Sequence, residues 1–350
     1  MSLADDLSEE SAQREADERR EARRLTAAIR EREAVIADLR KRLDLVTAID
    51  QARIKPPRWL VPPRNPRDRR GTVCAMLTDT HFGEVVDPAE IEGLNAYNDD
   101  IAEQRVRRFA EKSVRLARDY VSGITYDGAV LAFGGDIFTG TIHDELTETN
   151  AETLYESVVH WLDPISAVIH VYLDAFGKVH IPCTFGNHGR RTRKPRAKQR
   201  AQDNIEWVFY RVLEREFRGD KRVTWAISEG ADTRFSIYST RFDLTHGDQF
   251  RGGAGIAGMF SPLMLGQHRK TRRALTAGHP YDVLLMGHWH SYWNGKGIIV
   301  GGTLKGYDEY AYVSNFDWEP PQQAFWVTTP DHGVTIAAPI HVMDREAEGW

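Results

Sequence analysis

From about residue 71 to about 345, short apolar runs alternate with amphipathic stretches. Strand-like runs fall at 72–78 (TVCAMLT), 129–133 (AVLAF), 179–185 (VHIPCTF), 241–245, 282–286 and 297–303. Runs this short, rich in β-branched residues, suit buried strands better than helices. Helical spacing predicts helices at about 98–121, 151–176, 199–217 and 262–277, with Pro164 a candidate break in the second. The mixture predicts an α/β domain over 71–350 with a sizeable core.

Residues 1–54 follow a different pattern, charged throughout and with no Gly and no Pro before the linker. Leu25, Ile29, Ile36, Leu39, Leu43 and Val46 recur in steps of 4 and 3, with Arg32 in the missing place. That is the period of a coiled-coil seam, and both flanks carry charge. The expectation is an N-terminal coiled-coil helix that joins copies of the chain into a homo-oligomer. Residues 55–70 (KPPRWLVPPRNPRDRR) hold five prolines and six Lys/Arg, and read as a stiff, basic, extended linker.

Composition narrows the function classes. The chain has 350 residues and a formal net charge of -5, so it is no generic polycation. Affinity for nucleic acid has to come from a local patch. No run approaches the roughly 18 apolar residues that cross a bilayer. The first residues lack the apolar core of a secretory signal, so no membrane partner is expected. Cys74 and Cys183 each lie inside a strand-like run, which fits a reducing cytoplasm rather than a disulfide framework.

The chemistry sits just after the strands. Asp79-Thr80-His81 follows the first run, and Gly134-Gly135-Asp136 the second. Gly186-Asn187-His188, His246-Gly247-Asp248 and Gly287-His288-Trp289-His290 follow three more. Strand carboxyl ends are where open α/β sheets place ligands. In extended chain, residues i and i+2 point to one side, so Asp79 with His81, and His288 with His290, can each present two ligands together. Imidazole and carboxylate without cysteine suit zinc, iron or manganese, and exclude a structural cysteine-type zinc site.

These motifs, in this order, resemble the calcineurin-like metallophosphoesterases, the family that includes the Mre11 and SbcD nucleases. The resemblance covers roughly 72–303, and its variants look most like phage-encoded members. It implies a two-sheet β-sandwich flanked by helices, with two divalent ions at the strand ends: manganese first, with iron, zinc or nickel as alternatives. It implies that Asp79, His81, Asp136 and His290 hold one ion. Asp136 bridges to a second, completed by Asn187, His246 and His288. His188 faces the phosphate as the catalytic acid or charge stabiliser. The implied reaction is attack on phosphorus by a hydroxide bridging the ions. The family often has an acid after G-N-H, where this chain has Gly189 followed by Arg190.

Residues 190–200 (RRTRKPRAKQR) carry seven Lys/Arg and no acid, beginning two residues after His188. Arg190, Arg191, Arg193, Lys194 and Arg196 are candidate phosphate-backbone contacts, and His143 a candidate cleft residue. The expectation is a phosphodiester hydrolase acting on nucleic acid, a DNA nuclease first. A small-molecule phosphatase or cyclic-nucleotide phosphodiesterase is the alternative, and a coiled-coil scaffold that keeps the fold is a weaker one. Gly253 to Gly258 matches G-x-G-x-x-G, but no βαβ unit surrounds it, so it reads as a loop rather than a dinucleotide site.

Overall fold

A computed structural model describes residues 19–27, 29–41, 57, 69–250 and 258–350. The chain divides into two units, residues 1–55 and 56–350. In the first, helix α1 runs over 19–27 and 29–41. Leu25, Ile29, Ile36 and Leu39 of the expected seam are all exposed on it, as is Val35. Leu43 and Val46 lie outside the described residues, as do most of the basic linker and residues 251–257.

The second unit contains two sheets. Strands β1 (Arg70–Leu77), β2 (Thr125–Phe133), β3 (Val179–Cys183) and β4 (Val223–Ile227) are parallel neighbours in the first. Strands β5 (Asp232–Ile237), β6 (Thr240–Thr245), β7 (Val283–Met286), β8 (Trp293–Gly295) and β9 (Ile298–Val300) form the second, in the order β5-β6-β7-β9-β8. Strands β10 (Gln322–Thr329) and β11 (Gly333–His341) return to the first sheet, giving β11-β10-β1-β2-β3-β4. The α-helices of this unit are α2 (Asp99–Arg115), α3 (Asp144–Thr149), α4 (Leu154–His160), α5 (Leu162–Phe176), α6 (Ile205–Glu216), α7 (Phe260–Thr276), α8 (Glu309–Val313) and α9 (Arg345–Glu348).

Side-chain alternation explains the layers. In β1, Val73, Ala75 and Leu77 pack with Phe109 of α2, Ile169 of α5 and Phe209 of α6. Cys74 and Met76 face the other way, onto Phe242, Leu244 and Leu285 of the second sheet. A strand covered on both faces reads as a continuous apolar run, which is why TVCAML is unbroken. On the far face of the second sheet, Leu284, Met286, Ile298 and Val300 pack with Leu263 of α7. The expected arrangement of two sheets flanked by helices is what the second unit shows.

Several boundaries differ from expectation. The 151–176 helix breaks at Trp161, not at Pro164. Pro164 falls in the first turn of α5, where a missing N–H leaves no helical bond unmade. The 199–217 helix begins only at Ile205, because Asn204 caps it by accepting from Glu206 N. Strands β4, β5, β8, β10 and β11 have no counterpart among the expected runs.

Candidate metal centre

All five motifs lie at the ends of strands, and backbone hydrogen bonds zip their loops together. Asp79 N donates to Gly135 O at 3.0 Å, and His81 N to Asp136 O at 3.1 Å. Gly287 N donates to His246 O at 3.0 Å. Extended i, i+2 geometry does not aim the ligands, however. Asp79, His81, Asp136, His288 and His290 all have left-handed backbone, with φ of 50°, 49°, 49°, 71° and 54°. Such a conformation is uncommon outside glycine and clusters at functional sites. Here each residue turns its loop sharply enough to point the side chain inward.

Two groups of ligand atoms result, Asp79 with His81 and His290, and Asp136 with His246 and His288, the atoms within each lying inside 4.8 Å of one another. In the first, His81 Nε2 stands 3.1 Å from His290 Nε2, and His290 Nε2 3.5 Å from Asp79 Oδ1. In the second, His246 Nε2 lies 2.9 Å from Asp136 Oδ2 and 3.2 Å from Asn187 Oδ1. The groups adjoin through the backbone, since His288 N donates to both Asp79 oxygens. Asp79, His81, Asp136 and His246 are buried, while Asn187, His288 and His290 are partly exposed and form the open side. Close packing of the loops requires glycine. A Cβ on Gly186 would meet Asp136 Oδ1 at 2.0 Å, and one on Gly287 would meet Asp79 Oδ2 at 2.2 Å.

Protonation is set by burial and by neighbouring charge. Burial, Lys305 and the adjoining histidines hold His81 well below the usual histidine range. Burial, together with His246, takes His288 down to about 4. His246 goes the other way: burial opposes its charge, but Asp136 lifts it to about 10. Burial would raise Asp136, yet His246 and His188 hold it well below the carboxylate range.

A divalent ion fits this donor set. Nitrogen and carboxylate oxygen donors converge in two groups, and two facing Nε2 atoms compete for one proton that a cation would replace. Outer residues fix the ligands from behind. His246 Nδ1 is 2.9 Å from Gly134 O, which aims Nε2 into the site. Gln323 accepts from Thr78 N at 2.8 Å and donates to Thr78 O at 2.9 Å. Glu84 stands 3.4 Å from His81 Nδ1, accepts from Thr139 Oγ1 at 2.9 Å, and receives Lys305 Nζ at 2.7 Å. Sequence reading passes over Glu84, Gln323, Lys305 and Glu206. The last three lie far in sequence from the loops they support; only Glu84, three residues after His81, offers a local signal.

His188 stands beside the first group, its ring centroid 4.7 Å from that of His81. Its Nδ1 is 2.7 Å from Thr139 O, so Nδ1 carries the proton and Nε2 is the free nitrogen. His188 N donates to Asp136 Oδ1 at 2.7 Å. His143 is exposed with its ring 5.5 Å from His188, so the two share one rim.

The basic loop follows, but much of its charge is engaged. Arg190 donates to the carbonyls of Asn187, Thr192 and Arg193 and so braces the loop. Arg191 and Arg196 both approach Asp203, at 2.8 and 4.0 Å, and Arg193 pairs with Asp144. Arg200 pairs with Asp248 at 2.5 Å. Lys194 and Lys198 are exposed, with no ion pair among the described residues.

No protein-family model and no curated protein matches the chain. Among solved structures it is similar to a dimetal phosphatase from Danio rerio, at 10% identity, covering 78% of this chain and 99% of that one, with a TM-score of 0.36. It is also similar to a predicted phosphoesterase from Streptococcus pneumoniae, at 12% identity over 77% and 97% of the two chains, TM-score 0.29. A third likeness is to Vacuolar Protein Sorting 29 from Cryptosporidium parvum, at 14% identity over 78% and 99%, TM-score 0.29. Among the described residues, no helix is long and apolar enough to cross a membrane.

Proposed function

We propose that the chain is a dinuclear metal-dependent phosphoesterase of the calcineurin-like type, and that its substrate is a phosphodiester of nucleic acid. The observation that carries the reading is the pair of adjoining donor groups around Asp79 and Asp136, with the free Nε2 of His188 beside them.

Asp79, His81 and His290 would hold one ion, and Asn187, His246 and His288 the other, with Asp136 between. When bound, two divalent ions neutralise a phosphoryl group and lower the pKa of water. His188 has a separate task. Its Nδ1–H is fixed on Thr139 O, so Nε2 is the atom that meets a phosphoryl or leaving oxygen; it gives that oxygen a proton when the ring is doubly protonated, and returns to the Nδ1–H tautomer. The partly exposed side, formed by Asn187, His288 and His290, is where a diester enters. Lys194 and Lys198 are the loop cations free to meet its backbone.

The ion pairs of Arg191, Arg193, Arg196 and Arg200 favour a second reading, a small phosphoester as substrate, because paired cations draw less on a polyanion. Hydrolysis of labelled single- and double-stranded DNA, run beside bis-p-nitrophenyl phosphate with manganese supplied, separates the two. Cleavage of the small diester with no cleavage of DNA would leave only the second.

A further inference from the structure

Glu206 is fully buried, at the second position of α6, and its carboxyl does not serve its own helix. Asn204 is the cap there, and its amide also donates to Gly186 O at 2.9 Å. Glu206 instead reaches two loops of the metal centre. Its Oε1 accepts from Ile137 N and its Oε2 from Gly186 N, both at 2.8 Å. Ile137 directly follows Asp136, and Gly186 directly precedes Asn187. One carboxylate therefore holds the backbone beside two side chains that meet on His246 Nε2.

Three features make the clamp specific. The two N–H groups are buried, and each would lose its acceptor if the carboxylate went, at a cost of roughly 1–3 kcal/mol. The space is reserved for it, because a Cβ on Gly189 would meet Asn204 Oδ1 at 2.4 Å and Glu206 Cγ at 3.0 Å. Two parallel N–H donors also demand two acceptor oxygens, which a carboxylate offers and an amide does not.

We propose that Glu206 is a positioning residue for the second ion: it sets the spacing of Asp136 and Asn187, and touches neither the ion nor the substrate. The inference rests on the metal reading above. Its test is metal titration by calorimetry on the full chain, stripped by chelation, using manganese and zinc. Wild type, Glu206→Gln and Tyr210→Phe are compared, with far-ultraviolet circular dichroism and thermal melting alongside. Tyr210 is buried on the same helix with its hydroxyl unpartnered, so its variant reports the general cost of altering α6.

The expected result is two ions in wild type and Tyr210→Phe. In a folded Glu206→Gln, the ion held by Asn187, His246 and His288 binds at least tenfold more weakly, and the ion that keeps Asp79, His81 and His290 is weakened less. If Glu206→Gln does not fold, Glu206→Asp takes its place, since it keeps both carboxyl oxygens but reaches less far. The same weakening of one ion is then expected. Wild-type affinity for both ions in either folded variant overturns the inference, even if the melting temperature falls. A wild-type chain that takes up no metal overturns the metal reading itself, a distinct outcome.

Discussion

His81 and His290 face each other through their Nε2 atoms at 3.1 Å, although 209 residues separate them in sequence. Only one can hold a proton in that gap, and burial with Lys305 holds His81 neutral. The stripped protein should bind two divalent ions per chain by elemental analysis after reconstitution. Asp79→Ala should remove one. Asp136→Ala should remove both, since that carboxylate lies between the groups. Full occupancy in Asp136→Ala would exclude it as the shared ligand.

His188 tests the division of labour. His188→Ala should keep both ions and lose about 10²–10⁴-fold in turnover of bis-p-nitrophenyl phosphate, the usual range for a lost acid. Metal loss as large as that of His246→Ala would make His188 a ligand instead.

The basic loop tests the substrate. Two phosphate contacts, by Lys194 and Lys198, would give a log–log salt slope near about -2 for DNA affinity. Changing Arg193, Lys194 and Arg196 together to Glu should flatten that slope and weaken DNA cleavage, while sparing the small diester. Equal loss on both substrates would assign the loop to supporting the site, in line with the bracing role of Arg190.

Helix α1 tests association. Leu25, Ile29 and Leu39 are each more than half exposed. Light scattering should give a dimer or larger species that falls to a monomer when residues 1–50 are deleted, with hydrolysis of the small diester retained. An unchanged molar mass after truncation would clear the helix of that role.

Acid stability has a separate source. His180 in β3 is buried beside Phe235, and burial takes it down to about 4, with Thr224 working in the opposite direction. An unfolded histidine titrates near about 6.5, so protons bind the unfolded chain first. Its contribution is complete above that pH and is lost as pH falls toward 4, by roughly 3 kcal/mol. Urea unfolding of the stripped protein should show a lower midpoint at pH 4.5 than at pH 7, and His180→Gln should reduce the drop. An identical drop in both proteins would assign it to other groups.

The residues of the two donor groups were legible because their strands are covered on both faces, so each ends abruptly in a polar motif. Strand β5 (DTRFSI) hides because its polar residues alternate with buried ones, and β10 because it opens on two buried glutamines, Gln322 and Gln323. Gln323 is polar for a reason, since it holds both backbone groups of Thr78. Glu206 gave no local signal: it acts on Gly186, 20 residues away, and on Ile137, 69 away. The loop arginines looked free because Asp144, Asp203 and Asp248 approach them only in the fold.

The left-handed backbone at Asp79, His81, Asp136, His288 and His290 has an evolutionary consequence. Glycine adopts that conformation more readily than aspartate or histidine. If a descendant of this chain ceased to need the ions, conformational ease alone would favour glycine at all five places. Such replacements should drift in with the loss of activity, soonest at the histidines, because Asp79 and Asp136 also accept from the backbone N–H groups of His288 and His188. A relative that keeps aspartate and histidine there is therefore under selection for what those side chains hold, whatever has become of its surface, its loop charge or its first helix.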